Sequence, residues 1–110
     1  MGNSEPNNRR EYLRLKLRVP VEIHRETDET PIRGATADLS VGGCYIETMF
    51  PLPIGTHLNL KLSIETIVQI RAKVVTCDPQ VGNGIKFIQM LPKDRQALAA
   101  FLNVAQQAQG

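Results

Sequence analysis

From Leu13 the chain alternates without a break: Leu13, Leu15, Leu17, Val19, Val21 and Ile23 are apolar, and Arg14, Lys16, Arg18, Glu22 and His24 lie between them. A period of two describes a strand with one buried face, and it is incompatible with an amphipathic helix. Arg14 and Arg18 then fall on the solvent face, with Arg10 beside them if the chain stays extended that far. Pro20 has no N–H to give to a ladder, which predicts a strand at a sheet edge or one that bulges there.

The same pattern recurs. A second strand is expected from Ile32 to Val41, with Thr36, Asp38 and Ser40 on one face and Ala35, Ala37, Leu39 and Val41 on the other. Gly42-Gly43 bends the chain into a third strand, Cys44–Thr48. Pro51, Pro53 and Gly55 mark a loop. Leu58, Leu60, Leu62 and Ile64 alternate again, and Glu65-Thr66 reads as a hairpin turn into Val68–Cys77. Asp78–Gly84 is dense in turn formers, and Ile85–Ile88 is a last short strand. Pro92 opens a change of period, because proline suits a first helical turn. Leu98, Phe101, Leu102 and Ala105 form a stripe on one helix face. The expected fold is an all-β, six-stranded antiparallel barrel with a C-terminal helix that covers one end or edge.

One domain of this kind accounts for all 110 residues. With no Trp and few aromatics, its core must be aliphatic. Residues 1–8 read as a flexible tail, 9–105 as the folded domain and 106–110 as a frayed end. No apolar run approaches the roughly 20 residues of a membrane-spanning helix. The polar start, residues 1–8, lacks an export pattern, so a cytoplasmic protein with no membrane insertion is expected. Cys44 and Cys77 fit no metal spacing; they read as reduced thiols, with a disulfide as the alternative.

Net charge is only +2, too little for bulk polyanion binding. Its distribution is more telling: residues 9–18 hold five basic side chains (Arg9, Arg10, Arg14, Lys16, Arg18) and one acid, Glu11. A local excess of this size suits a small anion better than a long nucleic acid. A solvated polar strand face is the plain alternative.

Two short motifs sharpen this. Arg10-x-x-x-Arg14 adjoins the first strand, and Asp38-x-Ser40-x-x-Gly43 lies one strand later at the glycine bend. The second pattern alone is expected in about one in twenty chains of this length. In this order, ahead of a small all-β pattern, the two motifs resemble those of the PilZ domain, a bacterial receptor for the second messenger cyclic di-GMP. The resemblance runs from about Arg9 to Leu102. It implies a six-stranded barrel with a following helix, and cyclic di-GMP as ligand in place of any cofactor. It implies binding through Arg9, Arg10, Arg14, Asp38, Ser40 and Gly43.

The ligand carries two phosphates and two guanines. Guanidinium groups at Arg10 and Arg14 offer paired donors to phosphate or to guanine O6 and N7, and can stack on a base face. In the family, the residue before the arginine motif influences whether one nucleotide or an intercalated pair binds, and arginine, as at Arg9, leans towards the pair. The Asp38 carboxylate matches the N1–H and N2 amino donors of guanine. Ser40 can donate to a phosphate or base acceptor, and Gly43 allows close backbone approach or a positive φ.

Each residue also has a structural reading. Arg10 and Arg14 would be surface arginines of a tail, and Asp38 and Ser40 would hold the following turn. Gly43 would serve the bend alone. Tyr12 would stack on a base or fill the groove beneath the tail. His24 and His57 are isolated and read as surface residues. The chain has no nucleophile–base constellation, metal set or glycine-rich phosphate loop, so no enzymatic role is expected. With no output domain in sight, a receptor would order its N-terminal arginine segment over the barrel and signal through a protein partner. The alternative is a PilZ-fold protein–protein adaptor that binds no nucleotide. An oligonucleotide-binding barrel fits poorly, because stacking aromatics are few.

Overall fold

The computed structural model describes residues 13–109. Six strands run in chain order: β1 (Pro20–His24), β2 (Ile32–Leu39), β3 (Gly43–Glu47), β4 (His57–Ser63), β5 (Ile67–Asp78) and β6 (Gly82–Gln89). One helix follows, α1 (Pro92–Gln109). All strand pairs are antiparallel, and they close into a barrel in the order β1-β2-β3-β6-β5-β4. The six-stranded antiparallel barrel with a C-terminal helix is thus the fold.

The barrel interior follows from the alternation. Leu58, Leu60 and Leu62 of β4 point inward opposite Ala72, Ile70 and Val68 of β5, and all six are buried. Val21, Ile23, Leu39, Ile46 and Ile85 add the remaining walls, and Phe87 is the one aromatic among the described buried core residues. Small aliphatic side chains fill a six-stranded barrel without leaving a lumen.

Pro20 does not mark an edge, since the closed barrel has none. It is the first residue of β1, and the β1–β4 ladder starts one residue later, at Val21↔Leu62, so no N–H is missed. Nor does the strand begin at Leu13. Residues 13–19 are extended alongside β2, but their ladder is interrupted. Leu15 and Leu39 exchange two backbone bonds of 2.9 Å each. Between that bridge and β1, the Thr36 hydroxyl stands in for a backbone partner. It donates to the Leu17 carbonyl (2.6 Å) and accepts the Val19 N–H (3.0 Å).

Thr36 reaches that position because β2 carries a bulge. Thr36 pairs with Ile46 and Asp38 with Tyr45, which leaves Ala37 as an extra residue. An inserted residue reverses the inside–outside phase. Thr36 and Leu39 therefore both face inward and are fully buried, while Asp38 faces outward and is partly exposed. Unbroken alternation had put Thr36 and Asp38 on one face.

β6 also begins earlier than Ile85. Gly82 and Gly84 lie in the strand, where a Cβ would collide with the Ile46 carbonyl and the Thr76 hydroxyl respectively. These glycines meet close neighbours rather than form a turn. Asn83 between them is buried. Its Oδ1 accepts the Leu52 N–H (2.8 Å), and its Nδ2 donates to the carbonyls of Leu52 (2.9 Å) and Thr76 (3.1 Å). The β3–β4 loop is thereby tied to the barrel.

In α1, Pro92 takes the first helical position as expected, and the Leu91 carbonyl accepts the Asp94 and Arg95 N–H groups. Leu98 and Leu102 enter the core, flanked by half-buried Ala97, Phe101 and Ala105. The helix packs on β5 and runs to Gln109, so the stretch expected to fray after Ala105 is helical. Gln109 Nε2 reaches the Lys16 carbonyl at 3.3 Å, touching the segment that leads to Arg14. No helix among the described residues is long and apolar enough to cross a membrane.

Candidate functional site

Three pieces of chain meet at one rim of the barrel: the extended lead-in with Arg14, the β2–β3 turn, and β6. The Leu15–Leu39 bridge sets the register of the first two. With both leucines inward, their neighbours Arg14 and Asp38 point outward on the same face. Arg14 Nη1 donates to Asp38 Oδ1 at 2.7 Å. The pair is open to solvent, with the two side chains 48% and 30% exposed. Among the described residues nothing donates to Asp38 Oδ2.

Ser40 is not on the same strand face as Asp38, because β2 ends at Leu39. It opens the β2–β3 turn and is buried. Its Oγ accepts the N–H groups of Gly42 (3.1 Å) and Gly43 (3.0 Å) and donates to the Gly43 carbonyl (3.2 Å). The hydroxyl proton is spent on the turn, so Ser40 shapes the loop instead of presenting a free donor. Of the roles that its residue type permits, holding the turn is the one these bonds describe.

Gly43 meets a hard steric limit. A Cβ there would run into the Ile85 carbonyl oxygen and would lie 3.4 Å from Arg14 Nη2. Absence of a side chain therefore lets β3 approach β6 and leaves room for the arginine above it. The requirement is close approach, not a positive φ.

Beside this cluster a groove of about 710 Å³ runs between the turn and the start of α1. That volume lies within the range of about 300–1,000 Å³ typical of ligand sites. Its lining includes Arg14 from the lead-in, Ser40 and Gly42 from the turn, Lys86 and Phe87 from β6, and Arg95 from α1. Asp38 and Gly43 join the groove through their contact with Arg14. Arg14, Lys86 and Arg95 are three cations, and the described lining holds no carboxylate. Such a surface favours an anionic ligand. Lys86 and Arg95 had no motif to mark them; Arg95 lies 81 positions from Arg14 in sequence, and only the fold joins them.

Arg9 and Arg10, with Tyr12, lie outside the described residues. Arg14, Asp38, Ser40 and Gly43 are brought together; the first arginine motif is represented in the structure by its second member. Cys44 lies directly behind the site and is fully buried, which pushes its thiol up to about 12 despite the nearby Arg14 charge. Cys44 and Cys77 are both free thiols. His24 Nε2 lies 2.9 Å from Glu22 Oε1, and His24 joins no metal-ligating cluster among the described residues.

Solved structures of the same fold are numerous. The Bacillus subtilis inhibitor of motility MotI/DgrA superposes with a TM-score of 0.77 at 22% identity, covering 93% of this chain and 53% of that one. The PilZ domain of Escherichia coli YcgR, solved with c-di-GMP, superposes with a TM-score of 0.71 at 17% identity, covering 91% of this chain and 94% of that domain. The K. pneumonia MrkH–c-di-GMP complex gives 0.68 at 18% identity, over 89% and 53% of the two chains. The chain thus spans about half the length of MotI/DgrA and of MrkH. No sequence among the curated proteins matches it. The family model of the PilZ domain matches residues 8–103. With the closed barrel and the matched residues in agreement, this chain belongs to the PilZ domain family.

Proposed function

We propose that the protein is a cyclic di-GMP receptor that binds and signals without catalysing a reaction. The observation that carries this reading is the Arg14–Asp38 pair, set over Gly43 at the rim of a groove lined by three cations. Arg14 donates to a phosphate or to guanine O6 and N7. Asp38 Oδ2 accepts from the guanine N1–H and N2 groups. Ser40 acts by holding Gly42 and Gly43 in the turn, so that their backbone forms the pocket wall. Arg9 and Arg10 supply further guanidinium contacts, and Arg9 favours an intercalated pair of nucleotides. Two of the similar structures, those of YcgR and MrkH, contain c-di-GMP, which supports the same ligand here.

In this reading residues 9–105 form the receptor domain, and 1–8 precede it. Binding fixes the Arg9–Arg14 segment over the barrel rim and changes the surface offered to a cytoplasmic protein partner. A ligand shifts such an equilibrium only through its differential contacts with the two states. Here those contacts are the arginines, which meet the nucleotide in one state and water in the other.

The test is isothermal titration with cyclic di-GMP, with GTP and cyclic AMP as controls. Saturable heat with cyclic di-GMP alone is expected, and its stoichiometry reports one nucleotide or a pair. No heat and no shift in melting temperature would overturn the receptor reading and leave a PilZ-fold adaptor that binds a protein.

A further inference from the structure

We infer that Arg95 is a further cationic contact to the nucleotide, supplied by α1, so that a bound ligand bridges the motif turn and the helix. The inference rests on the receptor reading above. It adds a residue outside both motifs and a route by which occupancy reaches the C-terminal helix.

Three observations converge on Arg95. It lines the same groove as Arg14, and it does so from α1 rather than from the segment before β1. Its side chain is exposed, and among the described residues it forms no ion pair. Its backbone is nonetheless fixed, because its N–H is held by the Leu91 carbonyl at 2.9 Å in the first turn of α1. Two residues on, Ala97 is half-buried against the core, and Leu98 is fully buried. The guanidinium therefore extends from a rigid base, and the free energy of a charge-assisted bond is not lost to ordering the backbone. A ligand with two phosphates placed a few ångströms apart is suited to cations from separate elements of one groove. Arg14 meets one, and Arg95, with Lys86 of β6, meets the other.

Lys93 makes a sharp control. It lies two residues away on the same helix and carries the same charge. It lines a different cavity, of about 700 Å³, on the other side of the Gln89–Met90 ridge that both cavities share. Arg95→Ala and Lys93→Ala change the protein's net charge equally, so a long-range field would weaken binding equally in both.

The experiment is titration of wild type, Arg95→Ala, Arg95→Lys and Lys93→Ala with cyclic di-GMP. Amide exchange across residues 93–98 is followed with and without ligand. Arg95→Ala should weaken binding about tenfold, as loss of one charge-assisted bond implies. Lys93→Ala should stay within about twofold of wild type. Arg95→Lys should recover part of the loss, because it restores the charge without the planar fork. Ligand should slow exchange in the first turn of α1 in wild type and not in Arg95→Ala. Affinity of Arg95→Ala within twofold of wild type, or equal losses in the two alanine variants, would overturn the inference. Wild type that fails to bind at all would strike the receptor reading itself, and is distinguishable from either.

Discussion

Arg14 Nη1 lies 2.7 Å from Asp38 Oδ1, joining the arginine motif to the aspartate–serine–glycine motif across 24 positions of sequence. Two residues assigned to the proposed ligand site thus hold each other. Each shields the other's charge, and each limits the other's rotamers. Among the described residues nothing donates to Asp38 Oδ2, so in the proposed complex the pair need not break for a guanine to be read.

An exposed ion pair of this kind contributes only about 0–1 kcal/mol to stability. Arg14→Ala and Asp38→Ala should therefore abolish cyclic di-GMP binding while moving the melting temperature by less than about 8 °C, the shift that 1 kcal/mol brings in a domain of this size. Arg14→Lys should bind weakly, because it keeps the charge and loses the fork. Titration beside thermal melting checks both halves. Unchanged affinity in both alanine variants would remove these residues from the site.

Gly43 and Gly34 should respond unequally to the same substitution. At Gly34 an added methyl group would meet only Ile46 Cγ2, at 3.8 Å, which is ordinary contact. At Gly43 it would collide with the Ile85 backbone. Overpacking against backbone costs about 1–3 kcal/mol. Gly43→Ala should lower the denaturation midpoint accordingly and disturb Arg14 above it. Gly34→Ala should leave stability within about 0.5 kcal/mol of wild type.

The succession of strands along the chain and the helix stripe were legible because period-two and period-3.6 patterns state directly which side chains are buried. Two features broke that reading for one reason. At Ala37 an extra residue changes phase, and composition does not mark a bulge; Thr36, polar by type, gave no sign that it faces inward. At Gly82–Gly84 the turn-forming residues are used for tight strand contact and for the Asn83 bonds. Local propensity cannot separate these uses, since the deciding neighbours, Ile46, Thr76 and Leu52, lie 7 to 36 positions away. Ser40 lines the groove and its hydroxyl serves the turn, which only the geometry of Gly42 and Gly43 reveals.

Thr36 clamps the segment that carries Arg14, so its loss should be felt at the site. Thr36→Val preserves shape but removes the donor to the Leu17 carbonyl and the acceptor for the Val19 N–H. Leaving buried backbone groups unpaired costs about 1–3 kcal/mol. Amide exchange at Val19 should accelerate, and nucleotide affinity should fall although Thr36 touches no ligand. Unaltered exchange at Val19 would show that the hydroxyl is not the clamp.

Asn83→Ala should destabilise the protein by about 1 kcal/mol, because it strands the Leu52 N–H and carbonyl and the Thr76 carbonyl in a partly buried setting. The effect should be local first. Exchange at the Leu52 amide and proteolysis of the 48–56 loop should increase before global unfolding. Cyclic di-GMP affinity should hold, since this loop does not line the groove.

Cys44 offers a test of the packing behind the site. Burial raises its thiol from 9.0 to about 12, with Arg14 opposing and Asp38 reinforcing the shift. The thiolate is the reactive form. In native protein at about pH 8, iodoacetamide should therefore alkylate half-buried Cys77 and spare Cys44, while denaturant should expose both, as mass spectrometry would report. The same shift has a consequence for stability. Because the folded state holds the proton more tightly, the Cys44 contribution is fully present below about pH 9 and is lost as pH rises towards 12. Equal alkylation rates at the two cysteines in native protein would mean that the barrel wall between Leu39 and Ile85 opens far more often than its packing implies.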